Sequence, residues 1–319
     1  MQDSREKYKT GNIRLISESE YIMIKNTEYD KYIEYLKKKR NKADNTITAY
    51  KKDIAAFDKF CTEFEKNIKK CTENDALAYV GSMEKNGRSK STINRRISSL
   101  RTFYDYLIFL GEIQKNPFEK IKASKVESRR IDYLTIEQVE KLIESTGDDI
   151  KGMRDRTILE FMYGTGGRVT EVVRLTFADI NLNMAFTTLK DSDEDGRVVP
   201  IGSYAMRAME EYISRVYPVL TGREPNAEDY VFVNMKGKPL TRQGIWKILK
   251  EYGDAIGEKE RMTPQILRDS FAVHILQNGA DLKTLQEIMG FEDMMVGISY
   301  LAVTKIHVKD VFSRTHPRA

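Results

Sequence analysis

Apolar side chains recur every three or four residues along most of this chain, and that spacing constrains the fold more than any other feature. Tyr50, Ile54, Phe57, Phe60 and Phe64 follow one another in this way and would share one face of an α-helix. A half-buried strand would instead alternate at every second residue. The sequence therefore predicts a mainly α-helical protein.

The helical segments fall into two groups, and 319 residues are enough for two separate cores. We assign residues 1–26 to an N-terminal extension and predict a four-helix domain over residues 27–120. Residues 121–130 are polar and basic and follow Asn116-Pro117, which predicts a linker. The second domain, residues 131–319, is predicted to be helical except for a β-hairpin formed by residues 185–189 and 197–201.

Charge is distributed unevenly between the two groups. The net charge is +5, yet residues 1–130 carry a surplus of ten positive charges and residues 131–319 a surplus of five negative ones. A basic domain suggests a polyanionic partner, because phosphate neutralisation supplies most sequence-independent affinity for DNA. A solvated lysine-rich helix face would give the same composition, and charge alone does not separate the two.

Several classes of protein and site are disfavoured by composition. Cys61 and Cys71 are too few for a disulfide scaffold and are not spaced as metal ligands, so we expect both to be reduced and no metal or cofactor to be bound. No apolar run approaches the roughly 20 residues that span a bilayer, and no signal peptide is evident, so we expect a cytoplasmic protein without a membrane partner. The three histidines, His274, His307 and His316, limit any acid–base chemistry.

A glycine-rich motif, Gly164-Thr-Gly-Gly-Arg-Val-Thr-Glu171, ends one predicted helix and begins another. Glycines before a helix can cradle a phosphate, but neither the P-loop lysine nor the Rossmann spacing is present. By itself, the pair Arg168 and Glu171 is typical of an ordinary surface ion pair at one helical turn.

The wider sequence resembles the tyrosine recombinases, in particular the Xer-type enzymes, from about residue 27 to the end. The residues that carry the resemblance are Asn45-Thr-x-x-Ala-Tyr-x-x-Asp53, Ser91-Thr-Ile-Asn-Arg-Arg-Ile-Ser-Ser-Leu-Arg101, Asn116-Pro117, Arg154-Asp-Arg156, the glycine-rich motif, Val198-Val-Pro-Ile201, Leu267-Arg268, Asn278-Gly-Ala-Asp-Leu-Lys-Thr-Leu-Gln-Glu-Ile-Met-Gly290, Tyr300 and His316-Pro-Arg-Ala319.

This resemblance implies a SAM-like four-helix core-binding domain and an α-rich catalytic domain with a small β-sheet. It also implies that a tyrosine attacks a DNA phosphate and leaves a 3′-phosphotyrosine, a reaction that needs no metal or nucleotide. Tyr300 occupies the position of the nucleophile. Arg168 and Arg268 occupy the positions of two arginines that hold the phosphate oxygens, and Glu171 would brace the helix that presents Arg168.

Other positions depart from the family pattern. Gln265 stands where a histidine usually precedes the second arginine by three residues, and an amide cannot transfer protons at neutral pH. Phe291 stands where histidine or tryptophan is usual, and Asp269 follows Arg268 where histidine is common. None of the three histidines lies at a catalytic position, and we expect His274 to be structural.

The hairpin departs as well. In the family, a lysine of this hairpin protonates the leaving 5′-oxygen, and alignment on Val199-Pro200 places Ser192 there. Lys190 lies two residues earlier, on the same strand face, and could replace it. Asp191, Asp193, Glu194 and Asp195 surround Lys190, however, so a solvated hairpin residue is the other interpretation.

Two hypotheses of function follow. In the first, the chain is a site-specific recombinase in which Arg168, Arg268 and Tyr300 act with Gln265 and Lys190. In the second, it is a catalytically inactive paralogue that binds DNA as an architectural or regulatory partner. An inert interaction module would leave the basic first domain and the arginines without a purpose.

The resemblance also implies how the chain would meet double-stranded DNA. The two domains are expected to form a clamp, with Lys90, Arg95, Arg96 and Arg101 as candidate DNA contacts. A tetramer on DNA, of this chain alone or with a partner recombinase, is expected. Residues 305–319 are predicted to form a helix that packs into a neighbouring protomer or against its own domain.

Overall fold

The computed structural model describes residues 30–38, 40, 44–125, 131–191 and 196–315, without the side chains of residues 44–45, 305–311 and 314–315. The predicted extension at residues 1–26 and the position of Ser192 lie outside these ranges. The chain divides into two compact units, Met1–Ser128 and Arg129–Ala319, each with its own core.

The first unit is helical, as its spacing predicts. Its helices are α1 (residues 30–38), α2 (Asp44–Glu63), α3 (Glu73–Lys85) and α4 (Lys90–Phe109), with a 3₁₀ turn at Ile68–Lys70. Thr72 starts α3 by a capping box with Asp75, and Ser89 accepts a hydrogen bond from the N–H of Thr92 at the start of α4. These side chains satisfy amides that the first helical turn leaves without partners.

Aromatic side chains fill the core of this unit. Phe57 on α2 is fully buried and meets Phe118 edge to face, with ring centroids 5.1 Å apart. The hydroxyl of Tyr104 on α4 donates to the carbonyl of Ile68 at 2.6 Å, which fixes the 3₁₀ turn. Cys61 and Cys71 are both free thiols, as predicted.

A buried carboxylate joins α2 to α4. Asp53 is 1% exposed and accepts hydrogen bonds from two nitrogens of Arg95 and, at 3.0 Å, from the hydroxyl of Ser99. Nε of Arg96 lies 3.5 Å from the same carboxylate. The motifs that end at Asp53 and Arg101 are therefore joined by this ion pair.

The Asn116-Pro117 turn closes the first unit. The Asn116 side chain donates to the carbonyl of Arg101 at 3.0 Å and accepts from the N–H of Phe118 at 2.9 Å, which directs Phe118 into the core. The chain remains bonded to this unit as far as Ser124, whose N–H donates to Oδ1 of Asn94 at 2.9 Å.

The second unit is also mainly helical. Its helices are α5 (Ile136–Glu144), α6 (Ile150–Thr165), α7 (Val169–Arg174), α8 (Ser203–Glu211), α9 (Tyr217–Thr221), α10 (Arg242–Ala255), α11 (Pro264–Gln277), α12 (Leu282–Met289) and α13 (Met294–Thr315). Helices α6 and α11 are central, because buried side chains occupy more than one face of each. Arg154 and Asp155 on α6 form a buried ion pair, and Tyr252 donates to Asp155 at 3.0 Å.

A three-stranded antiparallel sheet lies in this unit, in the order β1 (Ile180–Asn181), β2 (Phe186–Leu189) and β3 (Arg197–Pro200). Buried Thr187 faces buried Val199 across β2 and β3, which confirms the predicted hairpin. Strand β1 was not predicted, because two residues are too few for an alternating pattern.

Two further features of the helices were not predicted from the sequence. Helix α8 continues through a π-helical turn, Tyr212–Val216, into α9, where the N–H of Tyr217 donates to the carbonyl of Tyr212. Pro218 has no N–H for a regular helix at this point, and the wider turn accommodates it. Helix α13 begins at Met294, eleven residues before the predicted start, and so contains Tyr300. No helix among the described residues has both the length and the apolar character that a membrane crossing requires.

Candidate active site

The glycine-rich motif places Arg168 at the start of α7. Gly166 ends α6 in the left-handed conformation with φ of +61°, and a Cβ there would lie 2.5 Å from the ring of Phe271. Only glycine fits this turn without a shift of the ring. Arg168 then turns back, and Nη2 donates to the carbonyl of Gly290 at 2.8 Å.

Glu171 is the buried centre of an arginine network. It is 1% exposed and accepts hydrogen bonds from the backbone N–H of Arg168 at 2.6 Å, from the Arg168 side chain at 2.9 Å and from two nitrogens of Arg197. Burial alone would raise the pKa of Glu171, but the hydrogen bonds and charges of Arg197 and Arg168 outweigh burial and hold it below its usual value. The expectation that Glu171 braces Arg168 agrees with these contacts.

Arg268 lies in the interior of the same unit. It is 4% exposed, and its guanidinium donates to the carbonyls of Gly166 and Met289. Burial and then the positive charge of Arg168 lower the pKa of Arg268 to about 10, so it remains charged at neutral pH. A guanidinium has five N–H donors. The hydrogen bonds that Arg168 and Arg268 make to described residues do not use all of them, so each arginine still has N–H groups that can bind an anion.

Tyr300 lies on α13 and is buried, at 4% exposed. Its hydroxyl donates to Oδ1 of Asp269 at 2.7 Å. Its ring stacks on Phe291 with ring centroids 5.8 Å apart. The Arg268 guanidinium lies 5.7 Å from the centroid of the same Phe291 ring. The structure thus brings Tyr300 and Arg268 into one cluster.

Gln265 and His274 both lie on α11. Nε2 of Gln265 donates to Oδ1 of Asp269 at 2.8 Å, one helical turn along α11. His274 is 5% exposed, its Nδ1 pairs with the hydroxyl of Tyr163 at 2.8 Å, and burial lowers its pKa. His274 is thus packed in the interior, as expected.

Lys190 follows β2 directly and is partly exposed. Its Nζ donates to Oδ1 of Asp179 at 2.7 Å, and this ion pair raises the pKa of Lys190 above its usual value. Asp191 turns toward α7 instead, where its carboxylate accepts from Arg168 at 3.3 Å and from Thr170. Ser192 lies outside the described residues.

Three residues that contact Glu171, Arg168 or Tyr300 were not predicted from the sequence to do so. Arg197 joins Glu171 to the carbonyl of Ile288, Asp191 contacts Arg168, and Asp269 bonds Tyr300. The sequence had marked Asp269 only as a departure from the family pattern and Asp191 only as a neighbour of Lys190, and it gave neither a partner.

The four candidate DNA contacts lie on α4 in the first unit. Lys90 is exposed at the first residue of the helix. Arg95 pairs with Asp53, and Arg96 donates to the hydroxyl of Tyr79 at 3.0 Å. Arg101 donates to the carbonyls of Phe118 and Ile121. The three arginines therefore also stabilise this unit, and their contact with DNA stays a prediction.

Family models match both units. The phage integrase family matches residues 132–307, and the phage integrase N-terminal SAM-like domain matches residues 29–111. A protein of Caldanaerobacter subterraneus subsp. tengcongensis named as a tyrosine recombinase is 40% identical over 290 residues, which cover 90% of this chain and 97% of that protein. Tyrosine recombinase XerD of Listeria innocua is 36% identical over 293 residues, covering 91% and 98%.

Solved structures are similar along most of the chain. XerH site-specific recombinase bound to palindromic difH substrate has a TM-score of 0.68 at 22% identity, covering 90% of this chain and 84% of that one. The Tn1549 transposon integrase in complex with circular intermediate DNA has a TM-score of 0.68 at 21% identity, covering 85% and 94%. At these identities the likeness establishes the fold.

Proposed function

This chain belongs to the phage integrase family of tyrosine recombinases, and on that premise we propose that it cuts and rejoins DNA at specific sites through Tyr300. The observation that carries the proposal is the convergence of two guanidiniums beside a tyrosine. Arg168 and Arg268 donate to the adjacent carbonyls of Gly290 and Met289, and Phe291 bridges Arg268 to Tyr300.

In the proposed reaction, Arg168 and Arg268 hold the non-bridging oxygens of the scissile phosphate. Their planar donors suit phosphate geometry, and their charge offsets the negative charge that builds up in the transition state. The hydroxyl oxygen of Tyr300 attacks phosphorus, the bond to the 5′-oxygen breaks, and a 3′-phosphotyrosine forms. Attack by another strand's 5′-hydroxyl reverses these steps, so the phosphate bond is conserved.

Lys190 and Gln265 have supporting roles in this proposal. Lys190 is the candidate proton donor to the leaving 5′-oxygen. Its ion pair with Asp179 keeps it protonated, and that contact must open before Lys190 reaches a phosphate. Gln265 contacts Asp269 and acts through it.

We propose double-stranded DNA as the partner, in the cytoplasm. The ten surplus positive charges of residues 1–130 support this partner. Strand exchange between two duplexes needs four nucleophiles, so we propose a tetramer on DNA, built from this chain alone or together with a partner recombinase.

A suicide DNA substrate with a nick beside the scissile phosphate tests the proposal. The parent chain should form a covalent protein–DNA adduct that resists denaturation, because the short strand beyond the nick diffuses away and cannot religate. Tyr300→Phe should bind DNA and form no adduct. Tyr204→Phe, which removes an exposed hydroxyl on α8 of the same unit, is the matched control and should form adduct like the parent.

Adduct formation by Tyr300→Phe at the parent level would refute the nucleophile assignment. Binding without any adduct in the parent would favour the second hypothesis, an architectural DNA-binding partner.

A further inference from the structure

The hydroxyl that would attack DNA is already bonded to a buried carboxylate. Asp269 is fully buried on α11, directly after Arg268, and its Oδ1 accepts the hydrogen bond of Tyr300 at 2.7 Å. This contact links α11 to α13 across 31 residues of sequence. A carboxylate at this distance from a hydroxyl is in the right place to receive its proton.

A second donor fixes that carboxylate in place. Nε2 of Gln265 donates to the same Oδ1 at 2.8 Å, one turn earlier on α11. The amide of Gln265 is not a base, whereas the carboxylate of Asp269 is one. The Gln265 amide can therefore orient Oδ1 of Asp269, and Oδ1 can receive the proton of Tyr300.

We propose that Asp269 is the proton acceptor for Tyr300 and that Gln265 is its positioning residue, a role that rests on the proposed function. As the Tyr300 oxygen bonds to phosphorus, its proton moves to Oδ1 of Asp269 and the bond to the 5′-oxygen breaks. The 5′-oxygen takes its own proton from a separate donor. In the reverse step, Asp269 returns the proton to the departing Tyr300 oxygen, so atoms and charge balance.

The size of the effect follows from the acidity of phenols. A free tyrosine has a pKa of about 10, so only about one phenol in a thousand is ionised at pH 7. A positioned general base typically contributes about 10² to 10⁴ in rate. Such a base would compensate for the histidine that Gln265 replaces.

The test uses single-turnover cleavage of a DNA duplex that carries sulfur in place of the 5′-bridging oxygen. A thiolate leaves without protonation, so the experiment isolates activation of the nucleophile. Asp269→Asn keeps the shape of the side chain and should slow adduct formation about 100-fold at pH 7. Its rate should rise about tenfold per pH unit and approach the parent rate near pH 9, because the phenolate fraction rises in the same way. The parent rate should change little from pH 7 to 9.

Two further variants serve as a matched control and as a test of the positioning residue. Asp148→Asn removes an exposed carboxylate of the same unit and should keep the parent rate and pH profile. Gln265→Leu should slow cleavage without the steep pH dependence, because Asp269 remains to take the proton.

The outcomes separate the two proposals. Parent chain that binds the duplex and forms no adduct overturns the proposed function and this inference together. Parent cleavage with Asp269→Asn equally fast or faster overturns this inference alone, since the contact would then only restrain Tyr300. A parent rate that itself rises tenfold per pH unit from pH 7 to 9 also overturns it, and this measurement holds even where Asp269→Asn does not fold.

Discussion

At the scale of single residues, Arg168 is shared between two carboxylates of different kinds. Glu171 is buried and holds the arginine in place, whereas Asp191 is half exposed and lies 3.3 Å from Nη1. A DNA phosphate that approaches Arg168 must compete with Asp191 but not with Glu171. Asp191 therefore lowers the affinity of this site for an anion.

We expect Asp191→Asn to strengthen binding to duplex DNA and to increase adduct yield. An exposed ion pair is worth about 0.2–1 kcal/mol, so affinity should rise up to about fivefold, as measured by fluorescence anisotropy at fixed salt. Asp148→Asn removes the same charge from an exposed pair with Arg156 and controls for net charge. An equal gain in both variants would contradict a local effect of Asp191.

Sequence motifs identified Arg168, Arg268 and Tyr300, and the structure places all three in one unit. They could be found because the resemblance to the tyrosine recombinases assigns each of them a position within a recognisable motif. The roles of Asp191 and Asp269 could not be found in this way. A carboxylate's partner depends on how helices pack across tens of residues, and local spacing does not encode that.

At the scale of elements, one ion-pair network ties three segments of the second unit together. Glu171 on α7 holds Arg197 on β3, and Nε of Arg197 donates to the carbonyl of Ile288 on α12 at 2.6 Å. Gly290 ends α12 in the left-handed conformation, which brings its carbonyl to Arg168. The proposed phosphate site is thus assembled from helix ends that Glu171 keeps together.

This network predicts a loss of stability in acid. The pKa of Glu171 is lower in the folded chain than its usual value of 4.5, so its contribution to stability is present above pH 4.5 and is lost as pH falls through the folded value. The melting temperature of the parent should therefore drop below about pH 4.5. Glu171→Gln should be less stable than the parent at pH 7 and should lose less on acidification, because it has no proton to gain.

Differential scanning calorimetry from pH 7 to pH 3 measures this difference. Asp148→Asn should follow the parent curve, since its carboxylate is exposed. Parallel acid curves for the parent and Glu171→Gln would contradict the assignment.

Element boundaries were predictable wherever a cap marks them. Thr72 and Thr135 begin helices with capping boxes, and Gly290 ends one, so a residue in the sequence marks each of these boundaries. The start of α13 was not predicted, because Met294, Met295 and Val296 are three consecutive apolar residues and do not show the spacing of one apolar helix face. All three side chains are exposed. Strand β1 is too short to leave a local pattern, and Pro218 marks an irregularity in the helix without specifying a π turn.

At the scale of the whole molecule, charge and chemistry are divided between two units. Residues 1–130 hold the positive surplus, and the residues proposed for catalysis lie in Arg129–Ala319. Binding strength and bond cleavage should therefore respond to different substitutions. Changes on α4 should alter affinity and its salt dependence, whereas Tyr300→Phe should alter neither.

The last prediction concerns α4 as the DNA-binding helix. Replacing Arg95 and Arg96 by alanine would leave Asp53 buried without its guanidinium partners, which costs about 3–5 kcal/mol and would confuse unfolding with lost contact. Adding Asp53→Asn removes the buried charge.

We expect this triple variant to fold and to bind duplex DNA at least about tenfold more weakly than Asp53→Asn alone. The slope of log affinity against log salt should fall by about two units, because each phosphate contact contributes about one. Lys90→Ala should lose about one unit. Equal affinity and slope for the triple variant and Asp53→Asn, with matching circular dichroism spectra, would place the DNA contacts elsewhere on the first unit.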